Sequence, residues 1–455
     1  MRRLPTCTFP VLLSLALLAH ACTAAPVHAW TLDGTLVPEP YSLSIDHRTR
    51  YERIDPGFRP GESGRGDGFF LRTLVHGTVR PHERFTLGAE LLDGRSLGAD
   101  DTRLTTSTTN AVELLQAYVS MEHDLSAGTL HARAGRLTMD VGSRRLVSRN
   151  RFRNTINGFT GVDAVFRHAD GWSLRGFWTM PLQRLPDARE RIEDNEIELD
   201  QENLDAQFFG LIATRPLDAA TRIEIYAFGI HEDATAGSGR RRRFVTPGFR
   251  LVRDPGPGRV DFEVESVGQA GRSRRGAGTA DLDHRAFFQH VSAGYTLAAP
   301  WQPRLVLEYD YASGDDDPDD GDQGRFDTLF GSRRSELGPT GIYGPFARGN
   351  LHTPGLHVAL RPADPLLLVA AYRGFWLASK RDAWVGTGLS DPSGRSGSFL
   401  GSQFEIRGRW TVLPGSTDLE VGYAHLFSGG YLDEVPDATH RGDVDYFYAQ
   451  VSLRV

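Results

Sequence analysis

The amino-acid sequence predicts an all-β protein: a transmembrane antiparallel β-barrel of about 18 strands with short periplasmic turns and long extracellular loops. Apolar residues lie in short runs where they alternate with polar residues, which is the period of a strand with two different faces. The connections between these runs alternate in length. Beyond the N-terminal segment, no run approaches the ~20 continuous apolar residues of a transmembrane helix.

The N-terminal segment, residues 1–29, has the layout of a secretory signal peptide. A positively charged start precedes an apolar run from Val11 to Ala19, and the segment ends in Val27-His28-Ala29, where small residues suit a cleavage site. We therefore expect residues 30–455 to form a single outer-membrane β-barrel domain.

Cysteine usage and charge exclude several classes of function. Both cysteines, Cys7 and Cys22, lie in the predicted leader, so the mature chain would have no thiol for a disulfide or a thiolate-bound metal. Lipidation at Cys22 is the alternative to ordinary cleavage, and the residues before it fit a lipoprotein signal less well. The formal charge is -7 and leader removal takes away only basic residues, so nucleic acid is not an expected partner.

Eighteen candidate strands follow the leader. We predict them at 43–54, 68–79, 84–93, 111–122, 128–137, 160–168, 171–181, 204–214, 221–230, 243–252, 260–269, 285–296, 304–313, 350–360, 365–377, 398–411, 417–427 and 444–455. Outer-membrane barrels have even strand numbers, short periplasmic turns and long outer loops. Because hydrocarbon cannot hydrogen-bond a free strand edge, a spanning sheet must close on itself.

The alternation also predicts which residues face the lumen. The lumen arginines on strands would be Arg48, Arg50, Arg133, Arg373, Arg407 and Arg409, and the lumen acids would include Glu90, Glu263, Glu308 and Glu405. A barrel of this size with charged walls is expected to hold a water-filled channel. Aromatic residues near strand ends, among them Phe70, Tyr423 and Tyr446, suit the two interfacial girdles.

Arginine supplies all but one of the 51 basic residues, and its rigid fork suits carboxylates and phosphates. The long segment 138–159 is the densest cluster, with Arg144, Arg145, Arg151 and Arg153. If this loop folds into the barrel, its guanidinium groups would narrow the pore and select anions. The alternative is a loop at the outer rim that holds lipid phosphates.

An acidic run offers a weak calcium candidate. Its oxygen ligands would be Asp315, Asp317, Asp319, Asp320 and Asp322. The run lacks the glutamate at fixed spacing of a calcium-binding hand, so a solvated loop is the favoured interpretation. Motifs of hydrolases, zinc enzymes and phosphate-binding loops are missing from the sequence, and we expect neither enzymatic activity nor a cofactor.

Several segments resemble the alginate export family. They are Glu113–Tyr118, Gly135-Arg136 with Gly142–Val147, Ala312–Asp315 with Phe326–Phe330, Phe399–Glu405 and Tyr423–Gly430. The resemblance implies a monomeric eighteen-stranded barrel that exports the polyanion alginate through an arginine-rich constriction. Carried over to this chain, the constriction residues would be Arg48, Arg50, Arg133, Arg136, Arg144 and Arg145.

The leading functional hypothesis is an outer-membrane channel of a Gram-negative bacterium that passes an anionic solute, with export of an alginate-like polyuronate as one form of it. The alternative is a general or carboxylate-specific porin for nutrient uptake. An outer-membrane lipid hydrolase is a third, disfavoured hypothesis. Expected partners are outer-membrane lipid and lipopolysaccharide, an anionic saccharide or small anionic solute, and the barrel assembly machinery.

Overall fold

A computed structural model describes residues 40–62, 64–99, 103–233, 240–276 and 279–455. The predicted leader, residues 1–29, lies outside them. The long strands are β1 (Tyr41–Asp55), β2 (Gly66–His82), β3 (Phe85–Leu97), β4 (Asn110–Leu125), β5 (Gly128–Leu137), β6 (Phe159–His168), β7 (Ser173–Gln183), β8 (Ala206–Pro216), β9 (Thr221–Glu232), β10 (Arg241–Arg253), β11 (Val260–Arg274), β12 (Leu282–Thr296), β13 (Arg304–Ala312), β14 (Leu351–Ala363), β15 (Leu366–Trp376), β16 (Phe399–Leu413), β17 (Thr417–Ser428) and β18 (Val444–Arg454).

Short elements complete the described chain. Two-residue strands occur at Gln201–Glu202 and Asp322–Gln323, and three one-turn helices are α1 (Arg189–Glu193), α2 (Arg334–Leu337) and α3 (Gly430–Glu434). None of the helices in this part of the chain is long and apolar enough to cross a membrane.

The sheet closes into a barrel. Each long strand pairs antiparallel with the next one along the chain, and β1 also pairs with β18, with Asp46 opposite Arg454 and Asp55 opposite Asp445. Closure gives every backbone group of the wall a partner, which a sheet in hydrocarbon requires. The predicted eighteen-stranded antiparallel barrel is therefore confirmed.

Strands β11 and β12 extend further into the loop that joins them than the sequence predicts. β11 continues to Arg274 and β12 begins at Leu282. Ion pairs between neighbouring strands hold these extensions together: Arg241 lies 2.8 Å from Asp281, and Arg274 lies at the same distance from that carboxylate. Opposite charges on facing positions stabilise a sheet. The strands therefore continue through polar residues that the sequence analysis had assigned to a loop.

Two long loops fill the extracellular half of the barrel. We name them L3 (residues 138–158) and L7 (residues 313–350). One apolar cluster joins Val147 of L3 and Phe326 of L7 to inward-facing aromatics of β6 to β12. A second cluster joins L7 to the strands at the other side of the wall. Packed loop residues therefore occupy part of the lumen in this half, which the prediction of a water-filled channel did not include.

The second cluster also corrects two of the predicted girdle residues. Phe70 and Tyr446 are buried among the loops, and the ring of Tyr446 stacks on Tyr343 of L7 with ring centroids 5.0 Å apart. Their neighbours along the strands, Phe69 and Phe447, are exposed on the outer face. The presence of an aromatic residue near a strand end does not show whether it faces the lumen or the lipid. The alternation of side chains along the strand does.

The loop packing can be tested at two consecutive phenylalanines of β8. Phe208 is fully buried and contacts the rings of Phe159 and of Phe330 from L7. Phe208→Ala should lower the free energy of unfolding by ~3 to 5 kcal/mol because it leaves a cavity between wall and loop. Urea-dependent unfolding in lipid vesicles measures this change.

Phe209→Ala is the matched control. Phe209 lies on the outer face and is 42% exposed, so its removal leaves lipid, not a cavity, beside the wall. Equal losses of stability in the two variants would contradict the inward packing of Phe208.

Candidate solute pathway

L3 is held inside the barrel by arginines of the wall. Arg48 donates hydrogen bonds through Nη1 to the carbonyl oxygens of Arg151 (2.9 Å) and Phe152 (3.0 Å). Arg50 donates to the Phe152 carbonyl (2.6 Å), and Arg72 of β2 donates to that of Arg151 (2.8 Å). The structure thus places the predicted Arg48 and Arg50 in the lumen, where they bind backbone oxygens of the loop.

The opposite end of L3 is fixed by a buried ion cluster. Arg145 pairs with Glu265 (2.7 Å) and Glu263 of β11 and with Glu336 of L7 (3.2 Å). Burial opposes its charge, but the carboxylates of Glu336, Glu265 and Glu263 hold the pKa of Arg145 well above its ordinary value. Charged groups this deeply buried need such partners, so Arg145 acts here as an anchor of the loop.

Other predicted lumen residues pair along the wall. Arg133 pairs with Asp163 (2.6 Å), Arg136 with Glu113 (2.5 Å), Arg373 with Glu308, Arg409 with Asp418 (3.1 Å), Arg149 with Glu90 (2.9 Å) and Arg334 with Glu405 (2.8 Å). Ladders of opposite charge stiffen a sheet and satisfy their own members. These carboxylates are therefore neutralised locally.

Four of the predicted arginines differ from this pattern. Among the described residues Arg48, Arg144, Arg153 and Arg407 have no ion-pair partner, and Arg48 binds only the neutral acceptors of L3. Arg144 is exposed, and Arg407 lines a cavity on the periplasmic side. Arg151 is also exposed, but it pairs with Asp140 of its own loop at 2.8 Å.

A row of loop guanidinium groups passes between the loops that enter the barrel. It consists of Arg184, Arg153, Arg333 and Arg59, each from a different loop. Burial and then the charge of Arg184 lower the pKa of Arg153 to about 10. Burial, followed by the charges of Arg153, Arg59 and Arg348, lowers the pKa of Arg333 to about 9. We call these four residues the arginine row.

Members of the row have mainly neutral partners. Arg333 donates to the Gly344 carbonyl (3.2 Å), while its buried Nε has no partner in the described chain. Arg184 donates to the side-chain oxygen of Asn157. Only Arg59 has an ion pair, to Glu62 at 3.4 Å. Arg153 and Arg333 therefore carry positive charge for which the described chain supplies no ion pair.

Two open cavities lie on either side of the loops. The outer cavity, of about 630 Å³, is lined by arginines of β10 and β11 and by Arg325 and Arg348 of L7. The inner cavity, of about 590 Å³, is lined by Arg145, Glu336 and Arg407, among others, and by the periplasmic turn at 255–257. Both cavities are lined in part by charged side chains and are large enough for a small organic anion.

The structure places the carboxylates of the acidic run in different surroundings. Asp315 is buried and pairs with Arg275, and Asp317 lies 3.7 Å from Arg381. Asp319, Asp320 and Asp322 are exposed. Within the described ranges no group of three or more His, Cys, Asp or Glu side chains could hold a metal ion, so the structure does not assemble the weak calcium candidate.

Sequence reasoning missed Arg184, Arg333, Arg348 and Glu336. Arg333 and Arg334 form a doublet in the long segment 314–349, just as Arg144 and Arg145 do in L3. That repeated pattern was the available signal. Nothing local to Arg184 or Glu336 indicates that a distant loop lies beside it.

The anchoring of L3 gives a testable expectation. Arg48→Met removes the hydrogen bonds to the carbonyls of L3, so the loop should leave the wall more often. We expect roughly several-fold faster tryptic cleavage within L3 and more current noise in single-channel recordings. Arg84→Met, at an exposed position in the turn after β2, is the control; indistinguishable cleavage of L3 in both variants would rule out the anchor.

Known proteins resemble this chain in sequence and in fold. A family model described as alginate export matches residues 39–443. Among solved structures, OccK9 (OpdG) of Pseudomonas aeruginosa is 16% identical with a TM-score of 0.61, covering 92% of this chain and 99% of that one. OpdK of the same organism, solved with vanillate, is 14% identical with a TM-score of 0.56, covering 91% and 98%. No curated protein matches the chain.

Proposed function

The chain belongs to the alginate export family, and we propose that it is a passive outer-membrane channel in which loop arginines conduct an anionic solute. The observation that carries this proposal is the arginine row. Arg153 and Arg333 lie half-buried among the loops, and no carboxylate in the described chain pairs with either. The membership and the closed barrel place the protein in the outer membrane.

Half-buried cations without ion pairs, such as Arg153 and Arg333, favour anions for a physical reason. Burying a charge is costly unless a partner replaces its hydration. An anion that enters the row supplies this partner, while the guanidinium groups replace the water lost by the anion. Since most lumen acids are already paired with wall arginines, they do not cancel this preference.

Two solute classes are candidates. Membership of the family favours a polyuronate such as alginate. The cavities favour a small organic carboxylate, because each holds only about 600 Å³ and the loop contacts between them interrupt a path for a polymer. A carboxylate is the group common to both, and it is the group that a guanidinium fork recognises best.

We further propose the remaining properties of the channel. It acts as a monomer, needs no cofactor and has no enzymatic activity. Outer-membrane lipid and lipopolysaccharide surround its apolar belt, and the barrel assembly machinery inserts it. Arg144, Arg153 and Arg407, which lack ion-pair partners in the described chain, are the sequence-predicted residues that would contact the solute, Arg407 from the inner cavity.

Planar-bilayer recordings in a salt gradient test the anion preference. The wild-type channel should be anion-selective, and the double variant Arg153→Gln/Arg333→Gln should lower the anion-to-cation permeability ratio by ~2-fold or more, because it removes the uncompensated charges. The reversal potential gives this ratio directly.

The matched control is Arg191→Gln/Arg395→Gln. It removes the same charge from two outer loops, where the Arg191 side chain is 41% exposed and Arg395 is exposed, away from the lining of both cavities. An unselective wild-type channel, or equal effects of the two double variants, would contradict the proposal.

A further inference from the structure

Helix α2 of L7 carries charges to two sides of the lumen. Arg334 lies 2.8 Å from Glu405 of β16 and donates to the hydroxyl of Tyr448 of β18 at 3.0 Å. Glu336, two residues further, pairs with Arg145 of L3. The helix is thereby fixed to the wall at one end and presents a carboxylate to the other loop at the opposite end.

Glu336 lies between two guanidinium groups. Its Oε1 is 3.2 Å from Arg145, and its Oε2 is 3.2 Å from Arg348. Within the described ranges it is the one carboxylate that pairs with Arg348, whose side chain is only 2% exposed. Both arginines also have a buried Nε without a partner. Two arginines directed at one carboxylate form a receptor for that group.

This contact separates the two cavities. Arg348 lines the outer cavity, whereas Glu336, its neighbour Ser335 and Arg145 line the inner one. Arg348 also donates to the carbonyl oxygen of Arg145 at 3.0 Å, which closes the partition. The pair of Glu336 and Arg348 therefore joins a residue that lines the inner cavity to one that lines the outer cavity.

We propose that Glu336 is a specificity-determining residue whose side chain occupies a carboxylate-binding position between Arg145 and Arg348, and that the carboxylate of the solute displaces it during passage. This inference rests on the proposed channel function. During the exchange the arginines always keep an anionic partner, so no buried charge is left unpaired. A neutral solute of the same size cannot make this exchange and remains excluded.

The exchange identifies the recognised chemistry as a carboxylate on a compact organic solute. The side chain of Glu336 is itself a short aliphatic chain that ends in a carboxylate. It is 12% exposed, so a solute in the inner cavity reaches it. Glucuronate and glucose are suitable probes, since they share a sugar ring and differ in the carboxylate.

The experiment compares block of the chloride current by glucuronate in wild type and in Glu336→Gln. Glutamine fills the same volume without the charge, so Arg145 and Arg348 become available to the probe. The half-blocking concentration should fall by about fivefold or more. Glucose should block neither channel. Glu196→Gln is the control, because Glu196 pairs with Arg191 on an outer loop and should leave the value as in wild type.

The outcomes separate this inference from the proposed function. A wild-type channel that is not anion-selective and not blocked by glucuronate overturns both. A selective, blocked wild type with an unchanged half-blocking concentration in Glu336→Gln overturns only the exchange at Glu336.

Glu336→Asp is the second variant to test if the glutamine variant does not fold. Its charge is retained but its reach is one methylene shorter, so its contact with Arg348 weakens and the half-blocking concentration should fall by about twofold. A folded aspartate variant with the wild-type value would overturn the inference.

Discussion

Hydrocarbon offers no hydrogen bond to a free strand edge, and the rest of this structure follows from that constraint. The wall must close, and closure with eighteen strands produces a lumen too wide to be filled by its own side chains. L3 and L7 fill the extracellular half of this space. Their packing requires inward-facing aromatics such as Phe208 and Tyr446, and their polar backbone requires donors such as Arg48. The inward packing of the loops, the aromatic residues of the wall and the charges in the lumen are thus consequences of one closed sheet.

The same logic explains how a chain of net charge -7 has a basic pathway. Wall acids such as Glu263 and Asp163 lie beside arginines that neutralise them. The loops instead bring Arg153 and Arg333 together without acids. Net charge therefore describes the surface and the paired wall, whereas the proposed anion preference depends on the few arginines without ion pairs.

The sequence predicted the wall well because strand alternation and turn chemistry are local. All eighteen strands occur within a few residues of their predicted positions, and the largest differences lie where ion pairs such as Arg241 with Asp281 prolong a hairpin. The site was predicted only in part. Whether Arg48 contacts solute or the carbonyl of Arg151 depends on a loop about one hundred residues away in the sequence. No local sequence pattern predicts a contact between residues so far apart.

Charge on a moving solute imposes a further requirement on such a lumen. If every arginine were paired firmly, as Arg133 is with Asp163, an anion would find no site. If every arginine were unpaired, binding would be too tight for release, or the buried charge too costly for folding. The pairing of Glu336 is intermediate in strength between these two extremes. Its two arginine partners line different cavities, and Glu336 itself lies on a loop. A carboxylate of the protein that can yield to one of the solute keeps the arginines compensated at each stage, and that permits both selectivity and passage.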